Sequence, residues 1–209
     1  MEPRRHVGLG FESFAWGLRD RQRTLVHRWH DRSRCQVCDR RWQKRDPEEP
    51  QDHALGRSRG GLTCKIHLLC DAQGHPLHFQ LTAGQAHEST LLDDVLIGAD
   101  QQLYDGQGEP IAWPVALAGD KGYRADWIDA YLLALGIQPV IPSKKNEAHN
   151  ARPVAFDREV YRDRNIIERL IGWLKECRRI FSRFEKTAKN FGGMIKMAFI
   201  QRYLKLATM

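Results

Sequence analysis

Four polar residues of unlike chemistry recur at helical spacing late in the chain: Tyr161, Arg164, Glu168 and Lys175. Offsets of three, seven and fourteen bring all four onto one helical face, because two turns return almost to the starting angle. That face carries a phenol, a guanidinium, a carboxylate and an ammonium in a line. A carboxylate holds a divalent cation or moves a proton, and cations beside it hold phosphate oxygens. The plainer reading is a solvated face with an internal ion pair, since Arg164 and Glu168 stand at the i,i+4 spacing. A second acid, Asp120, closes the apolar run Val115-Ala-Leu-Ala118 and precedes Lys121-Gly-Tyr123. Ligands of α/β sheets gather at the carboxyl ends of strands, which makes an acid there well placed for chemistry. An Asp that starts a turn or caps the next helix reads equally well from local sequence.

The elements that must position these residues follow from periodicity. Residues 62–71 and 76–82, joined by Gln73-Gly74, read as an antiparallel hairpin. Residues 88–97 have Leu91, Leu92, Val95 and Leu96 at helical spacing. Residues 115–118 and 137–141 are short buried strands, and between them 125–135 is a helix stopped by Gly136. Residues 157–183 read as helical, with Ile167, Leu170, Ile171 and Leu174 as the apolar face. In a last helix over 191–206, Met194, Met197, Ile200 and Leu204 fall to one side. Short apolar strands joined by helices pair in parallel, and the hairpin adds antiparallel edges. The fold class expected is α/β: a mixed sheet flanked by helices, preceded by an irregular N-terminal segment over 1–45.

Charge points to an anionic partner. The 209 residues carry a formal net charge of +7, and nucleic acid leads among partners for such a chain. Residues 162–196 hold ten Lys or Arg against four acids, a stripe rather than a spread. No apolar run is long enough to cross a membrane, and MEPRRHVGLGFES lacks the pattern of a secretory signal, so a cytoplasmic protein is expected. Five cysteines at irregular spacing do not form a disulfide framework. Cys35 and Cys38 look like half a zinc site, but Cys64 and Cys70 lie in an alternating apolar stretch rather than on the tight turns zinc requires.

Several blocks, in order, resemble one family. Tyr161-x2-Arg164-x3-Glu168-x6-Lys175 resembles the signature around the catalytic glutamate of bacterial insertion-sequence transposases with an Asp-Asp-Glu triad, in the grouping of the insertion-sequence-four and insertion-sequence-five families. Gly56-Arg-Ser-Arg-Gly-Gly61 with Leu62-Thr-Cys-Lys-Ile-His67, then Leu81-Thr-Ala-Gly-Gln-Ala-His-Glu88, Ala118-Gly-Asp-Lys-Gly-Tyr123, Pro139-Val-Ile-Pro142 and Arg183-Phe-Glu-Lys-Thr-Ala-Lys-Asn-Phe191 resemble its other blocks, spanning 46–206. The resemblance implies a ribonuclease-H-like catalytic domain over 46–206. Its chemistry would be phosphodiester cleavage and strand transfer at transposon ends, with Mg²⁺ or Mn²⁺ held by clustered carboxylates. Asp120 and Glu168 would be the second and third acids and the metal ligands. Tyr161, Arg164, Lys175, Arg178 and Arg179 would bind double-stranded DNA, and a homodimer is left open. A DNA-binding regulator of transposition without catalysis is the rival reading.

One family element is absent. The first Asp, in a motif like Trp-Phe-Ile-Asp-Gly-Thr, occurs nowhere, and Asp31 has flanks that do not match. Residues 1–45 hold eleven Arg, one Lys and three of the six Trp. Leu25-Val-His-Arg-Trp-His-Asp31 can be encoded CTG GTT CAT CGA TGG CAC GAC, which one base later reads Trp-Phe-Ile-Asp-Gly-Thr. The expectation is that residues 1–45 are translated out of frame. A central strand would then be missing, its neighbours would have unpaired edges, and the chain would be catalytically weak or dead. A divergent Arg-rich DNA-binding arm is the alternative.

Overall fold

A computed structural model describes residues 24–31, 53–58, 61–105, 107–145, 147, 152 and 154–208; for 24–31, Ser58, Gly61, Leu62 and Glu88 it describes the backbone alone. The strands are β1 (Thr24–Asp31), β2 (Gly56–Ser58), β3 (Gly61–Cys70), β4 (Pro76–Ala83), β5 (Ala116–Gly119) and β6 (Gln138–Val140). The helices are α1 (Leu92–Asp100), α2 (Asp126–Ala134), α3 (Arg158–Asp163), α4 (Asn165–Glu176), α5 (Arg178–Phe181) and α6 (Ala188–Ala207). β3 and β4 form the expected antiparallel hairpin. The apolar runs around Ala116 and Val140 form the expected parallel strands.

The sheet runs β2-β3-β1-β5-β6, with β4 also on β3. β1 pairs antiparallel with β3 and parallel with β5, so it occupies the middle of the sheet. This corrects the expectation of a missing central strand with unpaired neighbours. A ladder is built from backbone N–H and C=O groups, which every non-proline residue supplies. Thr24-Leu-Val26 and Trp29 add strand-favouring side-chain types. The motif of the first Asp is absent from the sequence, yet a central strand is present.

Alternation along the strands divides the core into two layers. Cys64, Ile66 and Leu68 of β3 and Ala116 and Ala118 of β5 join one cluster with Ile167, Leu170, Ile171 and Leu174 of α4 and Phe191, Ile195 and Phe199 of α6. Leu69 and Leu117 join the opposite cluster with Leu92, Val95 and Leu96 of α1 and Ile128 and Leu132 of α2. Helices therefore cover both faces. Gly136 ends α2 with φ 74°, a left-handed conformation that favours glycine. Cys64 and Cys70 are buried free thiols inside the first layer, which removes them as zinc ligands. Cys35 and Cys38 lie outside the described residues.

Two helix expectations need correction. The 157–183 stretch is three helices. Asp157 starts α3, its Oδ1 accepting from the amides of Glu159 and Val160 at 3.0 Å each. Helical hydrogen bonding is broken at Arg164, and Cys177 turns extended (φ −71°, ψ 95°) to end α4. In α6, Phe191, Ile195, Ala198 and Phe199 are buried, whereas Met197, Ile200 and Leu204 are exposed. The ring of Phe199 meets Phe79 of β4 edge-on at 5.6 Å, which sets the face turned inward.

Candidate active site

Asp120 is the residue after β5, half-buried, at the carboxyl end of that strand. Its Oδ1 accepts from the Gly122 amide at 2.8 Å, and the Tyr123 amide donates to its carbonyl at 3.1 Å, closing a 3-10 turn over Lys121–Tyr123. The turn-starting role considered from sequence is therefore real. It leaves Oδ2 without a role in the turn. Ala116 and Ala118 belong to the layer covered by α4, and by alternation Asp120 falls on that same face.

Glu168 is in the first turn of α4, and α4 packs on β1. Both acids thus belong to the same side of the sheet. Glu168 Oε1 pairs with Arg164 Nη2 at 3.2 Å, the i,i+4 ion pair that spacing allowed. Arg164 also lies over the Tyr161 ring, its Cζ 5.2 Å from the centroid, and Tyr161 in turn contacts Phe156 at 5.1 Å. Arg164 is only 17% exposed in its side chain. Tyr161 and Arg164 are thus largely committed to holding Glu168 and the α3–α4 junction. Lys175, at the last turn of α4, and Arg178 and Arg179 on α5 are exposed. Arg179 reaches Glu185 only at 3.5 Å. These six residues, close in sequence, therefore separate into a packed trio of Tyr161, Arg164 and Glu168 and an exposed basic trio of Lys175, Arg178 and Arg179.

Beneath the Asp120 turn is a bridge that sequence reading missed. His67 of β3 is fully buried; its Nδ1 lies 3.2 Å from the Tyr123 hydroxyl and its Nε2 2.9 Å from Thr82 Oγ1. It ties the turn to two strands from the opposite face. The legible signal was a polar residue at a core-facing position of an alternating strand. A second network follows directly: buried Arg124 pairs with Glu147, with Asp126 at 2.7 Å and with Asp129 at 3.3 Å. Arg152 grips the same Asp129 through Nε (2.6 Å) and Nη2 (2.7 Å) and donates to the Ile141 carbonyl. Burial works against the Arg124 charge, but hydrogen bonds to Glu147 and Asp126 outweigh it and raise its pKa. In return, the Arg124 hydrogen bond holds the Glu147 carboxyl below its usual range. The network fastens the segment beyond β6 to α2, next to the Asp120 turn.

A third buried cation, Arg183, has φ 31° and donates to the carbonyls of Glu185 (3.1 Å), His53 and Lys186 (3.3 Å). It stacks on Phe191 at 4.7 Å and joins the α5–α6 turn to the chain before β2.

A paired-metal centre needs clustered oxygen ligands. Among the described residues no three His, Cys, Asp or Glu come together as metal ligands. Asp31 ends β1 level with Lys65, on the face opposite the one carrying Asp120 by alternation. The described residues do not fit a two-metal cluster.

Comparisons with known proteins agree on ancestry. The profile described as "Transposase DDE domain" matches residues 22–201. The transposase assigned to insertion sequence element IS402 of Burkholderia cepacia is 30% identical over 167 residues, 79% of this chain and 72% of that protein. The one assigned to IS6501 of Brucella ovis is 30% identical over 144 residues, 69% of this chain and 100% of that protein. Among solved structures, a Mos1 transposase paired-end complex with left transposon end aligns at a TM-score of 0.33 and 12% identity, covering 72% of this chain and 54% of that one.

Proposed function

Because the chain belongs to the family of bacterial insertion-sequence transposases with a DDE domain, we propose that it engages double-stranded DNA at transposon ends and that its cleavage step is crippled. Strand order supports a ribonuclease-H-like reading of the fold. β1, β5 and β6 run parallel, and β3 and β4 continue the sheet antiparallel beyond β1. In that reading Asp120 and Glu168 are the second and third acids. In relatives with all three, Mg²⁺ or Mn²⁺ supplies Lewis-acid chemistry at the phosphodiester. Here the first acid is lacking.

The observation that carries the DNA reading is the exposed basic trio Lys175, Arg178 and Arg179 at the end of α4 and on α5. Phosphate contacts of this kind set affinity and register without reading sequence. Arg164 acts through Glu168, holding its carboxylate over the sheet, and Tyr161 supports Arg164 from below.

The frame-shift reading is one of two origins proposed for residues 1–45. Its support is that the hidden Asp codon falls at Arg28, the residue after the last β1–β5 register pair, His27 with Gly119. The family match beginning at residue 22 favours instead an in-frame segment that has diverged. An Arg28 codon in the gene that does not end in GA decides for divergence.

The test of DNA engagement is binding of a linear duplex across a salt series. Replacing Lys175, Arg178 and Arg179 together by Ala should weaken binding and flatten the log–log salt slope by about 2–3, near 0.9 for each phosphate that is no longer neutralised. An unchanged slope and affinity would remove this face as the DNA-binding surface. The rival reading, a regulator of transposition without catalysis, shares this surface and predicts the same result.

A further inference from the structure

Metal fit fails at one position that the strand register identifies. In the parallel pair, Thr24 is level with Ala116, Leu25 with Leu117, Val26 with Ala118 and His27 with Gly119. One residue further along each chain come Arg28 and Asp120. Neighbouring strands lie about 4.8 Å apart, and level residues share a face. Position 28 is therefore the sheet position nearest to Asp120 on the side where α4, carrying Glu168, packs against β1.

The residue there is an arginine, which stays protonated at any working pH. Asp31, the acid that β1 does have, is no substitute. It comes three residues later, about 10 Å along the strand, and an odd step places it on the other face.

We infer that Arg28 is what keeps this chain from holding a divalent cation, and that an acid at this single position completes an oxygen-ligand site with Asp120 and Glu168. The inference rests on those two being the second and third acids of the triad. It goes further in naming the position and in predicting that the rest of the fold is already arranged for the ion. The backbone needs no rebuilding, because β1 is already in place between β3 and β5. An arginine at this position adds positive charge where a divalent ion would have to be held and a carboxylate adds negative charge, so the swap acts twice in the same direction.

The experiment is Mn²⁺ binding to the full chain, followed by calorimetry and by the paramagnetic resonance of free Mn²⁺, without DNA. Wild type is expected to show no saturable site tighter than about 1 mM, the weak end for oxygen sites. Arg28→Asp should gain one site at least about a hundredfold tighter, the scale of reversing one charge beside a divalent ion. Adding Asp120→Asn to that variant should abolish the gain. Arg28→Gln, which removes the cation without adding a ligand, should fall between and covers the case in which Arg28→Asp does not fold.

The inference is overturned if wild type already binds Mn²⁺ through Asp120 within tenfold of Arg28→Asp. It is also overturned if folded Arg28→Asp gains no Asp120-dependent site, or if Arg28→Gln binds no better than wild type where Arg28→Asp is unfolded. DNA binding is read separately through the Lys175, Arg178 and Arg179 replacement. Failure of the metal gain with DNA binding intact sinks only this inference, whereas loss of the DNA result sinks the functional reading.

Discussion

Asp129 holds two buried guanidinium groups, and removing its carboxylate should be among the costliest single changes in the molecule. Arg152 makes two of its three hydrogen bonds to this residue, at 2.6 and 2.7 Å, and Arg124 stands 3.3 Å away. The side chains of Arg124, Asp129 and Arg152 are only 4%, 4% and 3% exposed. In Asp129→Ala, Arg124 retains Asp126 and Glu147, but Arg152 keeps, among the described residues, the Ile141 carbonyl as hydrogen-bond partner and Glu147 only as a nearby charge. Breaking a buried pair from one side costs about 3–5 kcal/mol, because the surviving charge is left uncompensated. With one stranded cation rather than two, the middle of that range, about 4 kcal/mol, is expected. For a domain of this size a loss of about 1 kcal/mol lowers the melting temperature by about 2–4 °C, so the drop should be about 8–16 °C. Differential scanning calorimetry reads it directly. The double variant Asp129→Ala/Arg152→Leu should recover part of the loss, since it removes the stranded charge as well. A single variant melting within about 3 °C of wild type, or a double variant losing the full sum of the singles, would refute the idea that uncompensated charge sets the cost.

Two further outcomes follow from the same region. Tyr123→Phe deletes the hydroxyl bonded to His67 and should cost about 1 kcal/mol; a neutral effect in urea denaturation would show that the bridge does not secure the Asp120 turn. The Glu147 carboxyl is depressed by Arg124, so its contribution is present above the ordinary carboxylate range and is lost as pH falls through its folded-state value. The melting difference between wild type and Glu147→Gln should therefore be largest near about pH 7 and shrink towards about pH 3. A difference that grows on acidification would contradict the sign.

The hairpin and the apolar face of α4 were legible because each repeats with the period of its own backbone, and the two short parallel strands because each is a brief apolar run closed by a turn residue. Residues 64, 66 and 68 of β3 alternate cleanly, and Ile167, Leu170, Ile171 and Leu174 return every three or four residues. The face of α6 was not legible. Apolar residues lie on two sides of that helix, and packing on Phe79 of β4 selects Phe199 over Ile200. The break at Cys177 was hidden because helical composition continues on both sides of it. Nor could local pattern show that Tyr161 and Arg164 are drawn inward while Lys175, Arg178 and Arg179 face solvent.

Sequence alone carried the ancestry, the choice of Asp120 and Glu168 as the acids proposed above, and the absence of a first-acid motif, since all are matters of residue type and spacing. Tertiary structure decided that residues 24–31 still complete the sheet. Strand pairing is made by backbone groups and tolerates side chains that chemistry does not. The same pairing decided which position of β1 follows the last register pair towards Asp120. Only the register between two strands far apart in the chain brings position 28 beside Asp120, and there the fold presents an arginine.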